Sequence, residues 1–327
     1  MAALLKFNVR RAVRTSCVAG LLAWAGVAWA APLVLAIGDT PLFAALLVAE
    51  ADGLFAAEGL DVKVIHCING RRCLKHLTDG EADVATVADI PIMFAMHAGH
   101  RFDIIATYGI TQKENMLVAR GDHGIRTAAD LAGKRIGVLR GTTVHYYTST
   151  LLLLAGIPRD SVSLVPLDAE NVLAPLLAGE VDAAALYKPY GPQAMQQLGR
   201  NAVALKPLRA YIVTGNLVAK PELPQATLVA VLRATAKACA LFSSSPARVQ
   251  ALLAARWKLD AGSVAAQLEG YDFQLSLEQS LLSTLEAESR WAVREGLVGA
   301  ASPPDFLARF RVEPLRAINP QLVTLVK

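Results

Sequence analysis

Several things this chain lacks narrow its role before any motif is read. The 327 residues carry no surplus of one charge, because the formal net charge of +4 comes from Lys6, Arg10, Arg11 and Arg14. No acidic residue accompanies them in the first 31 positions, and the remainder holds 28 basic against 28 acidic side chains. That balance gives no support for nucleic-acid or membrane-surface binding. Repeats with a period of 20 to 50 residues and low-complexity tracts are missing too, which excludes solenoids and propellers. There is no GxSxG elbow, no GxGxxG fingerprint and no Walker A loop, since Gly133-Lys134 is followed by Arg135 and lacks the upstream glycine. His97 and His100 are three apart, and His66 and His76 lie nearby, but no third ligand stands at a suitable spacing. The expectation is a protein that is not an enzyme, without metal or cofactor.

Cysteine is sparse, with four in all. Cys17 precedes the apolar run Val18 to Trp29 and so is not a lipobox cysteine. That run is about a dozen residues, short of the roughly 20 a membrane span requires. With basic residues before it and Ala28-Trp29-Ala30 after it, residues 1–31 read as a cleaved export signal of the general secretory type, which places the mature protein in the periplasm. Export permits disulfides. Cys67 and Cys73 flank a turn at Asn69-Gly70 and are read as a bridge, with two reduced thiols as the alternative, and Cys239 as a buried unpaired residue.

From Pro32 onward short runs rich in Val, Ile and Leu alternate with helical patterns, the mark of an α/β protein with a largely parallel sheet. Strands are expected at Leu33 to Ile37, Val62 to His66, Val84 to Val87, Ile104 to Tyr108, Met116 to Ala119, Arg135 to Leu139, Val162 to Pro166 and Tyr211 to Ala219. A helix is expected over Ala169 to Ala178, and nearly all of the chain after Pro221 is read as helical. Gly80-Glu81-Ala82-Asp83 and Gly179-Glu180-Val181-Asp182 each deliver the chain from a helix into a strand, which implies two similar lobes. The boundaries read from the turns give a first lobe of 32–120 and 217–327 and a second of 121–216, with crossings near 119 to 122 and 213 to 218.

Ligands in parallel α/β sheets collect at the C-terminal strand tips. Asp39, Thr40, Thr86 and Asp89 are therefore candidates together, with helix capping as the alternative for Asp89. The central stretch is Asp130 to Gly156, a strand, a tight turn and a helix, which sets Gly141, Thr142 and Thr143 at a helix N-terminus. Free backbone N–H groups and the helix dipole there suit an anion, while the alternative is that a threonine merely caps the helix. Tyr187-Lys188-Pro189-Tyr190 places two aromatics and a cation at a further tip.

The motifs GLFAAEGLDV, DGEADVATVADIP, IRTAADLAGKRIGVLRGTT, LLLAGIPRDSVSLVPL and AGEVDAAALYKPY, in this order, resemble the solute-binding proteins of ABC importers of the nitrate, sulfonate and taurine type. The resemblance covers roughly residues 33 to 220. It implies a type II periplasmic-binding-protein fold, two α/β lobes with two crossovers and a helical C-terminal part, closing on a small solute. It also implies permease and ATPase partners and a monomeric protein. Carried over residue by residue, the ligand shell falls on Asp39, Thr40 and Pro41, on Thr86 to Ile90 including Asp89, on Gly141, Thr142, Thr143 and Tyr146, and on Tyr187, Lys188 and Tyr190. Lys188 stands where similar proteins often have an acidic residue, implying either a more anionic ligand or a solvent-facing lysine. Arg71 and Arg72, in the unusual stretch CINGRRC, are expected at the surface, with a reach to the cleft mouth as the alternative. The alternatives are a pyrimidine-precursor (thiamine-related) binder or related biosynthetic enzyme, and an orphan solute sensor. The cysteine-rich stretch of the pyrimidine-precursor binders is not present.

Overall fold

The computed structural model describes residues 32–205, 211–299 and 302–326. The segment read as an export signal lies outside them.

Eleven strands are described, in two sheets. β1 (Leu33–Gly38), β2 (Val62–Cys67), β3 (Val84–Ala88) and β4 (Asp103–Thr111) belong to the first, and β5 (Asn115–Arg120), β6 (Arg135–Val138), β7 (Ser163–Pro166), β8 (Ala183–Tyr187) and β9 (Ala202–Ala204) form the second. β10 (Val213–Ala219) and the two-residue β11 (Tyr271–Asp272) complete the first sheet. Its order is β2-β1-β3-β10-β4-β11, and that of the second is β7-β6-β8-β5-β9.

The two sheets repeat one plan. β1 pairs in parallel with β2 and β3, as β6 does with β7 and β8. Beside each parallel trio lies one antiparallel strand, β10 against β3 and β5 against β8. The aspartates of the two Gly-Glu-x-Asp stretches do equivalent work. Asp83 Oδ2 accepts the Val34 N–H at 2.9 Å, and Asp182 Oδ2 accepts the Arg135 N–H at 2.8 Å. Each carboxylate thus satisfies a strand-end amide that the ladder leaves unpaired.

Three expectations differ from the structure. β5 pairs with β8 and β9, so Asn115–Arg120 belongs to the second sheet, and the first crossing lies at 112–114 rather than near 119 to 122. The glycines at 121 and 124 only form a short turn, Gly121–His123, within that sheet's lobe. The whole of β10 joins the first sheet, so the return falls between β9 and β10. The expected helix over 169 to 178 is broken into a turn at Ala169–Asn171 and a helix at Ala174–Leu177. Pro175 accounts for the break, since its ring clashes with the carbonyl four residues back and it has no N–H to donate.

Helices flank both sheets. The longest, Gln225–Ser244, is apolar enough by composition to cross a membrane, yet Leu228, Val231, Leu232 and Ala238 are buried in the protein core. It packs against helices Ala44–Ala51 and Glu313–Ile318. Arg233 and Lys237 lie on its exposed face, so it is an amphipathic helix that turns its apolar side to the core. Cys67 and Cys73 form a disulfide with their Cα atoms 5.5 Å apart, and Cys239 is buried and free.

Candidate functional site

A small cavity of about 40 Å³ lies where the strand tips of the two sheets meet. Thr40, after β1, and Ala88, ending β3, line it from the first sheet, with Asn69, Gly70 and Arg71 at the start of helix Gly70–Thr78. Tyr187, ending β8, and Thr142 and Thr143, starting helix Thr143–Leu154, line it from the second. Leu42, Phe43 and Pro91 supply apolar wall. Glu114, in the 112–114 crossing, closes one side.

Of the residues expected at a ligand, Thr40, Thr142, Thr143 and Tyr187 are brought together here. Thr142 stands at the N-cap position but makes no side-chain capping bond, and its hydroxyl donates to the Leu139 carbonyl at 2.7 Å. The Thr143 hydroxyl donates to Asn115 Oδ1 at 3.1 Å. Both hydroxyl protons are therefore spent inside the protein, and what the helix start offers a ligand is its first backbone N–H groups, which have no intrahelical partner. Two further donors are left over. The Tyr187 hydroxyl and Asn115 Nδ2 are buried without a hydrogen-bond partner among the described residues. Burial pushes the Tyr187 hydroxyl far up in pKa, so it stays protonated as a donor; Asn69 is near enough to act on it without meeting hydrogen-bond geometry.

The other expected residues face elsewhere. Asp39 is held by Arg256 at 3.0 and 3.1 Å and by the Trp257 indole N–H at 3.0 Å, so it ties the first strand tip to helix Pro246–Trp257. Pro41 and Ile90 are core. Thr86 Oγ1 accepts the Gly38 N–H at 2.9 Å and joins β3 to β1. Asp89 is 0 % exposed and does not line the cavity. Its carboxylate accepts from the Tyr211 hydroxyl at 2.7 Å, the Thr214 N–H at 3.0 Å and hydroxyl at 3.2 Å, and the Ile90 N–H at 2.8 Å. Burial nevertheless raises its pKa, and the buried Glu288 carboxyl close by has no hydrogen-bond partner. Tyr146 packs edge-on against Tyr211 and Trp291, and Tyr190 against Tyr187. Gly141, at φ 70° in the region glycine favours, lines an outer pocket with Arg71, Arg140 and His145. Burial first, and Arg140 and Arg159 next, hold His145 down at about 4, so it is neutral there.

Lys188 does not face the cavity. Its ammonium donates to the Gln267 and Glu269 carbonyls at 3.0 and 2.9 Å and sits 5.0 Å above the Tyr271 ring, and burial lowers its pKa. It is neither of the alternatives read from the sequence, but a staple between β8 and the end of helix Ala261–Leu268. Arg71 and Arg72 are both exposed, and Arg71 also lines the cavity; Arg71 Nη1 donates to the Arg140 carbonyl at 2.7 Å, and Arg72 pairs with Glu170 at 2.6 Å.

Sequence reasoning missed Glu114, Asn69 and Asn115. Glu114 is 4 % exposed, and its Oε2 accepts from the Tyr271 hydroxyl. Burial drives its pKa up to about 7 against the opposing pull of Tyr271 and Lys188. No motif flags it, because the polar run Thr111 to Asn115 reads as a turn between two strands.

A model of the family described as NMT1/THI5 like matches residues 40–249. An Escherichia coli (strain K12) protein named a putative aliphatic sulfonates-binding protein is 29% identical over 204 residues, which cover 61% of this chain and 63% of that relative, a little under two thirds of its length. Among solved structures, the alkanesulfonate-binding protein SsuA from Xanthomonas axonopodis pv. citri, bound to MOPS, superposes with a TM-score of 0.72 at 20% identity, over 84% of this chain and 96% of that one. The desulfurization enzyme DszB superposes with a TM-score of 0.60 at 20% identity, over 89% and 99%. At such identities the likeness establishes the shared two-lobed α/β fold, and that fold carries both binding and catalysis.

Proposed function

Because the chain belongs to the NMT1/THI5-like family, we propose that it is the solute-binding component of an ABC importer, exported to the periplasm and acting as a monomer. It captures a small anion of the sulfonate, taurine or nitrate kind and delivers it to a membrane permease worked by an ATPase. The two sheets are the cores of its two lobes, and residues 112–114 make one crossing between them. The observation that carries this reading is the cavity itself. Strand tips from both sheets and the N-terminus of helix Thr143–Leu154 converge on it, and the unpartnered Tyr187 hydroxyl is buried in its wall.

The mechanism follows from that arrangement. An open form exposes the N–H groups of the helix start on one lobe and Thr40 and Asn69 on the other. A ligand that bonds to both sides gains only when they meet, so it shifts the population toward the closed form. Arg71–Arg140 and Arg72–Glu170 close over it, and their modest worth as exposed contacts lets a permease pull the lobes apart.

Thermal unfolding against a panel of alkanesulfonates, taurine, nitrate, carboxylates and pyrimidines tests the proposal. A ligand at 100 times its Kd stabilises the fold by ~2.7 kcal/mol, which for a chain of this size is a shift of a few degrees. A shift with one anionic class is the expected result. A shift with pyrimidines alone, or turnover of any member, refutes it.

A further inference from the structure

The proposed solute site contains one feature that an anion site should not tolerate. Glu114 lines the same small cavity as the helix N-terminus, and it is 4 % exposed. A second negative charge brought into such a space, away from water, is strongly opposed.

The groups that face this carboxyl come from every element around it. From β11, the Tyr271 hydroxyl donates to Oε2. From the tip of β8, the Lys188 ammonium attracts the charge but is already committed to the Gln267 and Glu269 carbonyls, and Tyr187 adds a neutral hydroxyl. From helix Asp89–His97 the buried Asp89 repels it, and Tyr108 of β4 feels it from within the core. Across the cavity Arg71 spends a guanidinium N–H on the Arg140 carbonyl. No cation is bonded to Glu114 itself among the described residues.

Resting on the solute-binding reading above, we propose that Glu114 is the specificity-determining residue of the cavity: it must take up a proton from solvent for a monoanion to bind, so the protein captures its anion and one proton together. With Oε2 occupied by Tyr271, the proton on Oε1 turns the carboxyl from a repelling charge into a further hydrogen-bond donor beside the Tyr187 hydroxyl. The position of Glu114 in the crossing between the sheets couples that proton to closure. The pKa of about 7 puts the event in the physiological range. If only the protonated form binds, the protonated fraction falls about tenfold between pH 6 and pH 8, and the Kd rises by the same factor.

Isothermal titration calorimetry with methanesulfonate, nitrate and taurine, each at pH 6 and pH 8 and in two buffers of different ionisation enthalpy, tests this. The expected result is a Kd for methanesulfonate or nitrate about tenfold lower at pH 6, with about one proton taken up per anion at pH 8. Glu114→Gln, which keeps a donor and cannot ionise, should abolish both the pH difference and the proton uptake. The proton count on the unaltered protein decides the matter even if that variant fails to fold. Equal affinity at the two pH values with no proton uptake overturns the inference while leaving anion binding intact. So does taurine binding that strengthens with pH and is lost in Glu114→Gln, because an ammonium group would then be pairing with an ionised Glu114. No binding of any of the three at either pH, by either protein, removes the solute-binding reading for these anions and this inference with it.

Discussion

Replacing Asp89 with alanine separates two roles that its position at a strand tip leaves open. A ligand contact would cost affinity and little stability, whereas the structure makes this carboxylate an internal acceptor for four donors at 2.7 to 3.2 Å. The Tyr211 and Thr214 hydroxyls can turn toward other acceptors after truncation. The Ile90 and Thr214 N–H groups cannot, and each buried donor left without a partner costs about 1–3 kcal/mol. Relief of the repulsion with Glu288, which raises the pKa of the glutamate, offsets a part. The net expectation is a loss of about 3 kcal/mol, or roughly 6 °C at the 2 °C or so per kcal/mol expected of a domain this large. Scanning calorimetry on the ligand-free protein reads it directly, and affinity for any solute, corrected for the folded fraction, should change less than tenfold. A melting temperature within about 1 °C of the unaltered protein, together with lost binding, would refute the reasoning and return Asp89 to the ligand shell.

Tyr187→Phe should act in the opposite sense on the two quantities. Removing a buried hydroxyl that has no partner stabilises the ligand-free protein by about 1 kcal/mol, while solute affinity falls about tenfold, both measurable by denaturant unfolding with and without ligand. Glu288→Gln tests the buried carboxyl beside Asp89. Burial raises the Glu288 pKa in the folded state, so its contribution is full below the ordinary glutamate value and is lost as pH rises through the folded value. The unaltered protein should therefore lose stability relative to the variant when urea unfolding is moved from pH 5 to pH 7, and a constant difference would contradict the sign.

Much of the first sheet and the parallel core of the second were legible because their signals are local. Runs of Val, Ile and Leu closed by glycine or proline announce strands wherever they pack. The tips at Thr40, Thr142, Thr143 and Tyr187 follow from topology alone, since parallel strands deliver their C-terminal ends to one edge. Side-chain direction was not legible. Lys188 follows the same strand as Tyr187, yet it points to helix Ala261–Leu268, which lies some 80 positions further along the chain. Asp39 likewise turns to Arg256 and Trp257. A charged tip residue takes whichever partner the fold brings within reach, and those partners are distant in sequence.

The amino-acid order alone thus determined the alternation of strand and helix, the repeat of two Gly-Glu-x-Asp units and the helix N-terminus after Gly141, each set by propensity, periodicity and turn chemistry over a few residues. Only the tertiary structure decided that β5 crosses into the second sheet, that Asp89 is an internal hub and that Glu114 lines the cavity. Sheet membership depends on which edge is free to pair. The ionisation of a carboxyl depends on how much water the surrounding elements leave it, and neither quantity is written in the neighbouring residues.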